Sequence, residues 1–190
     1  MTNPKLTRPE PDLRKESQSR SVRRKQAPPD LADRVRAGEA CRDLINAILD
    51  DAAPPPAGVI RRVVSPLRNN RYFDLMARVP DAAIQAGQND PQLRRQYAQA
   101  LIEQGHLTAA LSVLGLLVVD TAQDGALANP SENAEARGLI GRAHKQAYVN
   151  AVAGDDRNAR AAAQRPHLKR AIDAYHAVDR VDPARFLWHG

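Results

Sequence analysis

The stretch LRRQYAQALIEQGHLTAALSVLGLL, residues 93–117, restricts the fold more than any other. Apolar residues recur at helical spacing on both sides of Gly105. A helix on each side requires the chain to reverse between them. Glycine, lacking Cβ, supplies the backbone freedom that a tight reversal needs. Ala98 and Ala110 carry so little bulk that the two helix axes can approach closely. The pattern therefore predicts an antiparallel helical hairpin from Pro91 to about Ala122.

The rest of the chain repeats this design. Hydrophobic residues make up 43% of the sequence but aromatics only 4%, with alanine plentiful. Runs of Val, Ile, Thr and aromatics suited to strands are scarce, so the composition favours helices packed through small side chains. Asp30 is placed to cap a helix from Leu31 to about Asp50, with Leu31, Val35, Leu44, Ile45 and Ile48 on one stripe. Pro54, Pro55 and Pro56 end it. VIRRVV (59–64) is short and ambiguous between strand and helix, and Ser65-Pro66 reads as punctuation. A helix is predicted from Leu67 to Ala86, kinked or broken where Pro80 removes a donor. Further helices are predicted over about 131–152 and 167–181. Between them lies a polar loop around Gly154-Asp155-Asp156, in which NARAAAQ can hold a helical turn. The fold class expected is all-α, a stack of antiparallel helix hairpins.

Charge is concentrated at one end. The net charge is +6 and the sequence pI about 9.9. Residues 1–29 hold eight Lys or Arg against three acids, a net +5, so the remainder is near neutral. With Pro4, Pro9, Pro11, Pro28 and Pro29 among those charges, a disordered basic tail is expected over 1–29. Nucleic acid is not the expected partner, because no aromatics interleave with the basic residues. Cys41 is the lone cysteine, which excludes an intramolecular disulfide and a thiolate cluster and suits a reducing, cytoplasmic location. No run approaches the roughly 18 apolar residues of a membrane span. The domains expected are the tail (1–29), an N-terminal helix with a Pro-rich linker (30–66) and the helical repeats (67–190).

The glycine-centred hairpin resembles a tetratricopeptide repeat, a helix-turn-helix unit of about 34 residues. With Pro91 as the first position, Ala98, Gly105 and Ala110 take the eighth, fifteenth and twentieth, where the repeat favours small residue, glycine and alanine. Leu101, Leu114 and Leu117 take positions that are normally large. Arg94 stands where the repeat usually has a tryptophan-like residue, so this copy is degenerate. Val79, Ala83, Ala86 and Pro91 fit the second helix of an earlier copy. Ile140, Gly141 and His144, then Ala171, Tyr175, Val178 and Pro183, fit the two helices of a later one. Gly141 and Ala171 are 30 residues apart where the repeat has about 12, which implies an insertion of about 18 between those helices.

ARGLIGRAHKQAYVN (136–150) and LKRAIDAYHAVDRVDPARFLWHG (168–190) are more specifically similar to the divergent repeat module of the apoptosis signal-regulating kinases, often labelled a TRAF-binding domain, and to its bacterial relatives. That resemblance covers roughly 67–190. It implies a regulatory scaffold without an active site, and its usual continuation past the aromatic-Gly segment implies truncation at Gly190. It does not imply TRAF as the partner. Some bacterial relatives carry an effector domain, so the alternative is the N-terminal regulatory segment of a larger enzyme such as a trypsin-like serine protease.

No catalytic constellation emerges. His106, His144, His167, His176 and His189 form no HExxH motif, and His144 reads as a residue packed between helices. Ser65, Ser112 and Ser131 lack the surroundings of a nucleophile elbow. GLIG (138–141) is a packing motif and no phosphate-binding loop. Asp124, Asp155 and Asp156 lack calcium-loop spacing. Phe186 and Trp188 read as packing residues, and Cys41 as a small buried hydrophobe. No cofactor and no metal is expected. In such repeats the second, fifth, ninth and twelfth positions of each first helix line the concave groove. They are Gln92, Arg95, Gln99 and Ile102 in the middle copy, and Glu135, Gly138, Arg142 and Lys145 in the later one. Arg95, Gln99, Arg142 and Lys145 would offer charge and hydrogen bonds to a protein partner, as an acidic peptide or carboxylate terminus.

Overall fold

The computed structural model describes residues 31–50, 54–151 and 157–181. The expected basic tail, the Asp30 cap, Asp155-Asp156 and the segment with Phe186, Trp188 and His189 lie outside the described residues. Among the described residues the fold is all-α: α1 (Leu31–Leu49), α2 (Ala57–Asn69), α3 (Phe73–Gln85), α4 (Pro91–Glu103), α5 (Leu107–Asp120), α6 (Pro130–Asn150) and α7 (Arg157–Val181). None of these helices is long and apolar enough to cross a membrane.

The helices pair as hairpins, α2 with α3, α4 with α5 and α6 with α7, and each hairpin stacks on the next. The first helices of the pairs also touch in sequence, α2 on α4 and α4 on α6. They therefore form one continuous inner layer. α1 docks mainly on α3 at the N-terminal end of the stack. Cys41 and Ile48 of α1 are buried, and Leu44 and Ile45 pack partly against the core. Leu31 and Val35, expected on the same stripe, are exposed.

Three turns close by the same device. After α4, the His106 N–H donates to the Leu101 carbonyl at 2.8 Å and Gly105 to Ile102 at 3.0 Å, with Gly105 at φ 82°. After α3, Gln88 donates to Ala83 and Gly87 to Ile84, with Gly87 at φ 80°. After α2, Tyr72 donates to Leu67 and Arg71 to Arg68, with Arg71 at φ 61°. These paired bonds satisfy carbonyls that the helix ends leave open, and they need a left-handed residue after the cap. The N-termini of α4 and α6 are set by Asp90-Pro91 and Asn129-Pro130. Each cap side chain accepts from a backbone N–H, Leu93 at 2.9 Å and Glu132 at 3.1 Å.

The helix boundaries correct the sequence reading in three places. VIRRVV lies within α2, and Ser65-Pro66 does not punctuate it. Ile60, Val64 and Leu67 form one buried stripe at helical spacing that runs through Pro66. Leu67 thus belongs to α2, and the next helix begins at Phe73. Pro80 is buried inside α3, which continues across it to Gln85. Finally, α6 ends at Asn150, close to the predicted 152, but the inserted residues lengthen α7, which starts ten residues before the predicted 167. Ala161, Ala162, Ala163 and Gln164 are strong helix formers, and Pro166 removes only one donor from a 25-residue helix.

Two apolar clusters share α4. Leu93 and Ala100 join residues of α1–α3, whereas Ala98, Leu101 and Ile102 join Ala110, Leu114 and Leu117 of α5 and Ala136, Leu139 and Ala143 of α6. Ala98 and Ala110 are both fully buried in that second cluster, as their small size predicts. In the last hairpin Gly141 of α6 takes the corresponding role against Tyr175 of α7.

Candidate partner-binding groove

The inner layer leaves a groove of about 570 Å³ between α2, α4, α6 and the end of the stack. Helix α6 supplies most of its wall. Glu135, Gly138, Arg142, Lys145 and Val149 recur every three or four residues and so share one face of that helix. Leu139 and Gln146 complete the stripe. Arg95 and Gln99 face them from α4, Arg68 from α2 and Tyr175 from α7.

The structure thus brings Arg95, Gln99, Arg142 and Lys145 to one groove, together with Glu135 and Gly138. Gln92 does not line it and is half-buried. Ile102 is 5% exposed and belongs to the apolar cluster between α4, α5 and α6. Arg68 and Tyr175 are groove residues that the sequence reading did not find. Counting 34 residues back from Pro91 reaches Ala57, where α2 begins, and places Arg68 at the twelfth, groove-facing position. That signal was hidden while Ser65-Pro66 was read as a break. Tyr175 comes from a second helix, which the position rule does not consider.

The cations differ in their commitments. Arg95 donates through Nε to Glu132 Oε2 at 2.6 Å, and the two side chains are only 14% and 15% exposed. Arg142 pairs with Glu103 at 2.5 Å while its own side chain stays 47% exposed. Lys145 and Arg68 are exposed, and their side chains have no hydrogen bond or ion pair among the described residues. Tyr175 is partly buried; burial pushes its hydroxyl up in pKa, against a smaller opposite effect of Arg142. It therefore stays a neutral donor at physiological pH. The groove offers two uncommitted cations, a shared arginine, the amide of Gln99, the Glu135 carboxylate and apolar contact from buried Leu139 and exposed Val149. Chemically this arrangement can hold an anionic group, and no nucleophile-base pair is among its lining residues.

Ser65 Oγ donates to the Arg61 carbonyl at 3.0 Å and Ser112 Oγ to Thr108 at 3.2 Å, both one turn back along their own helices. Cys41 is buried, and desolvation raises its thiol pKa. His144 packs between α6 and α7, as its sequence position predicts. No three His, Cys, Asp or Glu side chains cluster to hold a metal among the described residues. A second depression, about 460 Å³ on the outer face, is lined by Ile84, Tyr97, Val113 and Leu116 around the satisfied Arg94–Asp120 pair.

The family model described as Tetratricopeptide Repeats-Sensor matches residues 72–190 of the chain. A search of curated proteins returns no match, and neither does a search of solved structures.

Proposed function

The chain belongs to the Tetratricopeptide Repeats-Sensor family, and on that premise we propose that it is a noncatalytic scaffold that receives a protein partner in the groove of α2, α4 and α6. Repeats of this type generally bind other proteins and carry no chemistry of their own. The partner segment is an acidic peptide or a carboxylate terminus. The observation that carries this reading is the pair of uncommitted cations, Arg68 and Lys145, in one groove whose other cations lie close behind them. An anion entering there gains charge-assisted hydrogen bonds without first breaking an internal pair. The word sensor in the family's description, and the resemblance of 136–190 to the kinase repeat module, support a regulatory role in which occupancy of the groove is the signal.

The test uses a library of acidic heptapeptides with free C-termini and fluorescence polarisation at pH 7.5. The best binder should lose at least tenfold in affinity for the Arg68→Glu/Lys145→Glu variant, a change of about 1.4 kcal/mol. Its affinity should also fall with added salt. If no acidic peptide binds better than a neutral one of the same length, or if charge reversal leaves affinity unchanged, the groove reading fails.

A further inference from the structure

Two histidines meet where the long last hairpin leaves the repeat core. His144 of α6 and His167 of α7 lie with ring centroids 5.8 Å apart and planes inclined by 37°. His144 is 9% exposed. The Nδ1 atoms of both rings are buried, with no hydrogen-bond partner among the described residues. A buried ring nitrogen without an acceptor nearby is tolerable while it carries no proton. Once protonated it becomes an unsatisfied donor bearing charge, which burial penalises strongly.

The electrostatic surroundings act in the same direction. The groups that bear on His144 across the seam are Arg170, one turn along α7, and His167 itself; no carboxylate among the described residues bears on it. Burial first, and then these two groups, hold the His144 pKa below the ordinary imidazole value. Nearby, the Gln164 side-chain amide donates to the Tyr148 carbonyl at 3.1 Å, a second tie between the same two helices.

This seam adjoins the groove. Lys145 and Gln146 follow His144 directly on α6, Val149 lies one turn further, and Tyr175 lies two turns along α7 from His167; all four line the groove. We propose that the His144–His167 contact is an acid-sensitive clasp, closing the distal half of the α6–α7 hairpin while His144 is neutral and releasing it, with the outer groove wall, when His144 takes up a proton. The consequence for partner binding rests on the groove reading above; the clasp itself does not.

A base whose pKa is depressed in the closed form takes up its proton more readily in the open form. Closure is therefore complete above the ordinary value of about 6.5 and is lost as pH falls below it. For one proton, the opening equilibrium grows by up to about tenfold between pH 7.5 and 5.5, the limit reached when the closed form stays unprotonated throughout. The experiment is amide hydrogen exchange on the full ligand-free chain at those two pH values, corrected for intrinsic exchange and with a chelator present. Protection over 144–150 and 157–168 should fall measurably at pH 5.5, by up to about tenfold, while 91–120 keeps its protection. The His144→Met/His167→Met variant, which fills the seam without a titratable group, should show equal protection at both values. A wild type insensitive to pH there, or a double variant as sensitive as the wild type, overturns the proposal. Should the variant not fold, NMR titration of His144 in the wild type decides. A midpoint below that in the urea-unfolded chain supports the clasp, and one at or above it sinks it. Because no ligand enters these measurements, loss of the groove reading leaves them intact.

Discussion

At the scale of single residues, the small positions of the repeat differ in what they would tolerate. A Cβ on Gly141 would stand 2.7–2.9 Å from atoms of the Tyr175 ring, closer than packed carbon atoms come. Gly115, in the middle of α5, has nothing within 4 Å of the same position. Alanine is the better helix former by about 1 kcal/mol, so at an open site the exchange stabilises. At Gly141 the ring must move out of a packed seam, and overpacking costs about 1–3 kcal/mol. Gly141→Ala should therefore lower stability in urea denaturation, whereas Gly115→Ala should raise it by about 0.5–1 kcal/mol. Two shifts of the same sign would mean that the Tyr175 contact does not constrain α6. The need for a small residue at 141 was legible from its repeat position. The identity of its partner was not, because the insertion hid which turn of α7 lies opposite.

At the scale of elements, the closure after α2 is the anomaly. α2 and α4 begin 34 residues apart, as do α3 and α5. Arg71 then takes the fifteenth position, where the next copy has Gly105, and its φ of 61° is left-handed. An L side chain there costs about 1–2 kcal/mol that glycine avoids. Part of that is offset by the Arg71 guanidinium, 5.9 Å from the Phe73 ring, and by the smaller chain entropy of a non-glycine residue in the unfolded state. The net expectation is that Arg71→Gly raises stability by up to about 1 kcal/mol, read as an upward shift in melting temperature. An unchanged or lowered midpoint would show that the cation–ring contact outweighs the strain. The missing glycine also explains why this turn escaped the sequence reading: Gly87 and Gly105 announce theirs, while Asn70-Arg71 does not. Pro66 misled in the opposite direction, since it sits inside a helix held by its neighbours, and Pro80 likewise does not break α3.

At the scale of the whole molecule, the hairpins are bound to one another by ion pairs as well as by apolar contact. Arg61 of α2 reaches the α4 cap Asp90 at 2.6 Å, and Arg95 of α4 reaches Glu132 in the first turn of α6 at 2.6 Å. The second pair is the more buried and stands behind the groove. Breaking one member of a buried pair leaves an uncompensated charge. Partial solvent access at 14–15% reduces the cost here. Glu132→Gln should lower stability by about 1–3 kcal/mol. The same change turns Arg95 toward the groove, so an acidic peptide that binds there should bind more tightly. Loss of stability with no change in peptide affinity would confine Arg95 to a structural part.

What the sequence determined by itself is the local grammar: helical periodicity, the glycine reversals at Gly87 and Gly105, and the small side chains that let helices touch. These depend on neighbours within one or two turns, and a single chain displays them directly. From that grammar followed the all-α hairpin stack and the stripe of Arg142 and Lys145 on α6. The tertiary structure alone decided which first helices lie side by side, and so brought Arg68 of α2 and Tyr175 of α7 to the same groove. It also decided that Arg95 spends its charge on Glu132 while Lys145 keeps its own, and that His144 meets His167. Such pairings join residues 23 to 37 positions apart. No periodicity within either segment encodes them; they are fixed when packing of the hairpins sets the register between helices.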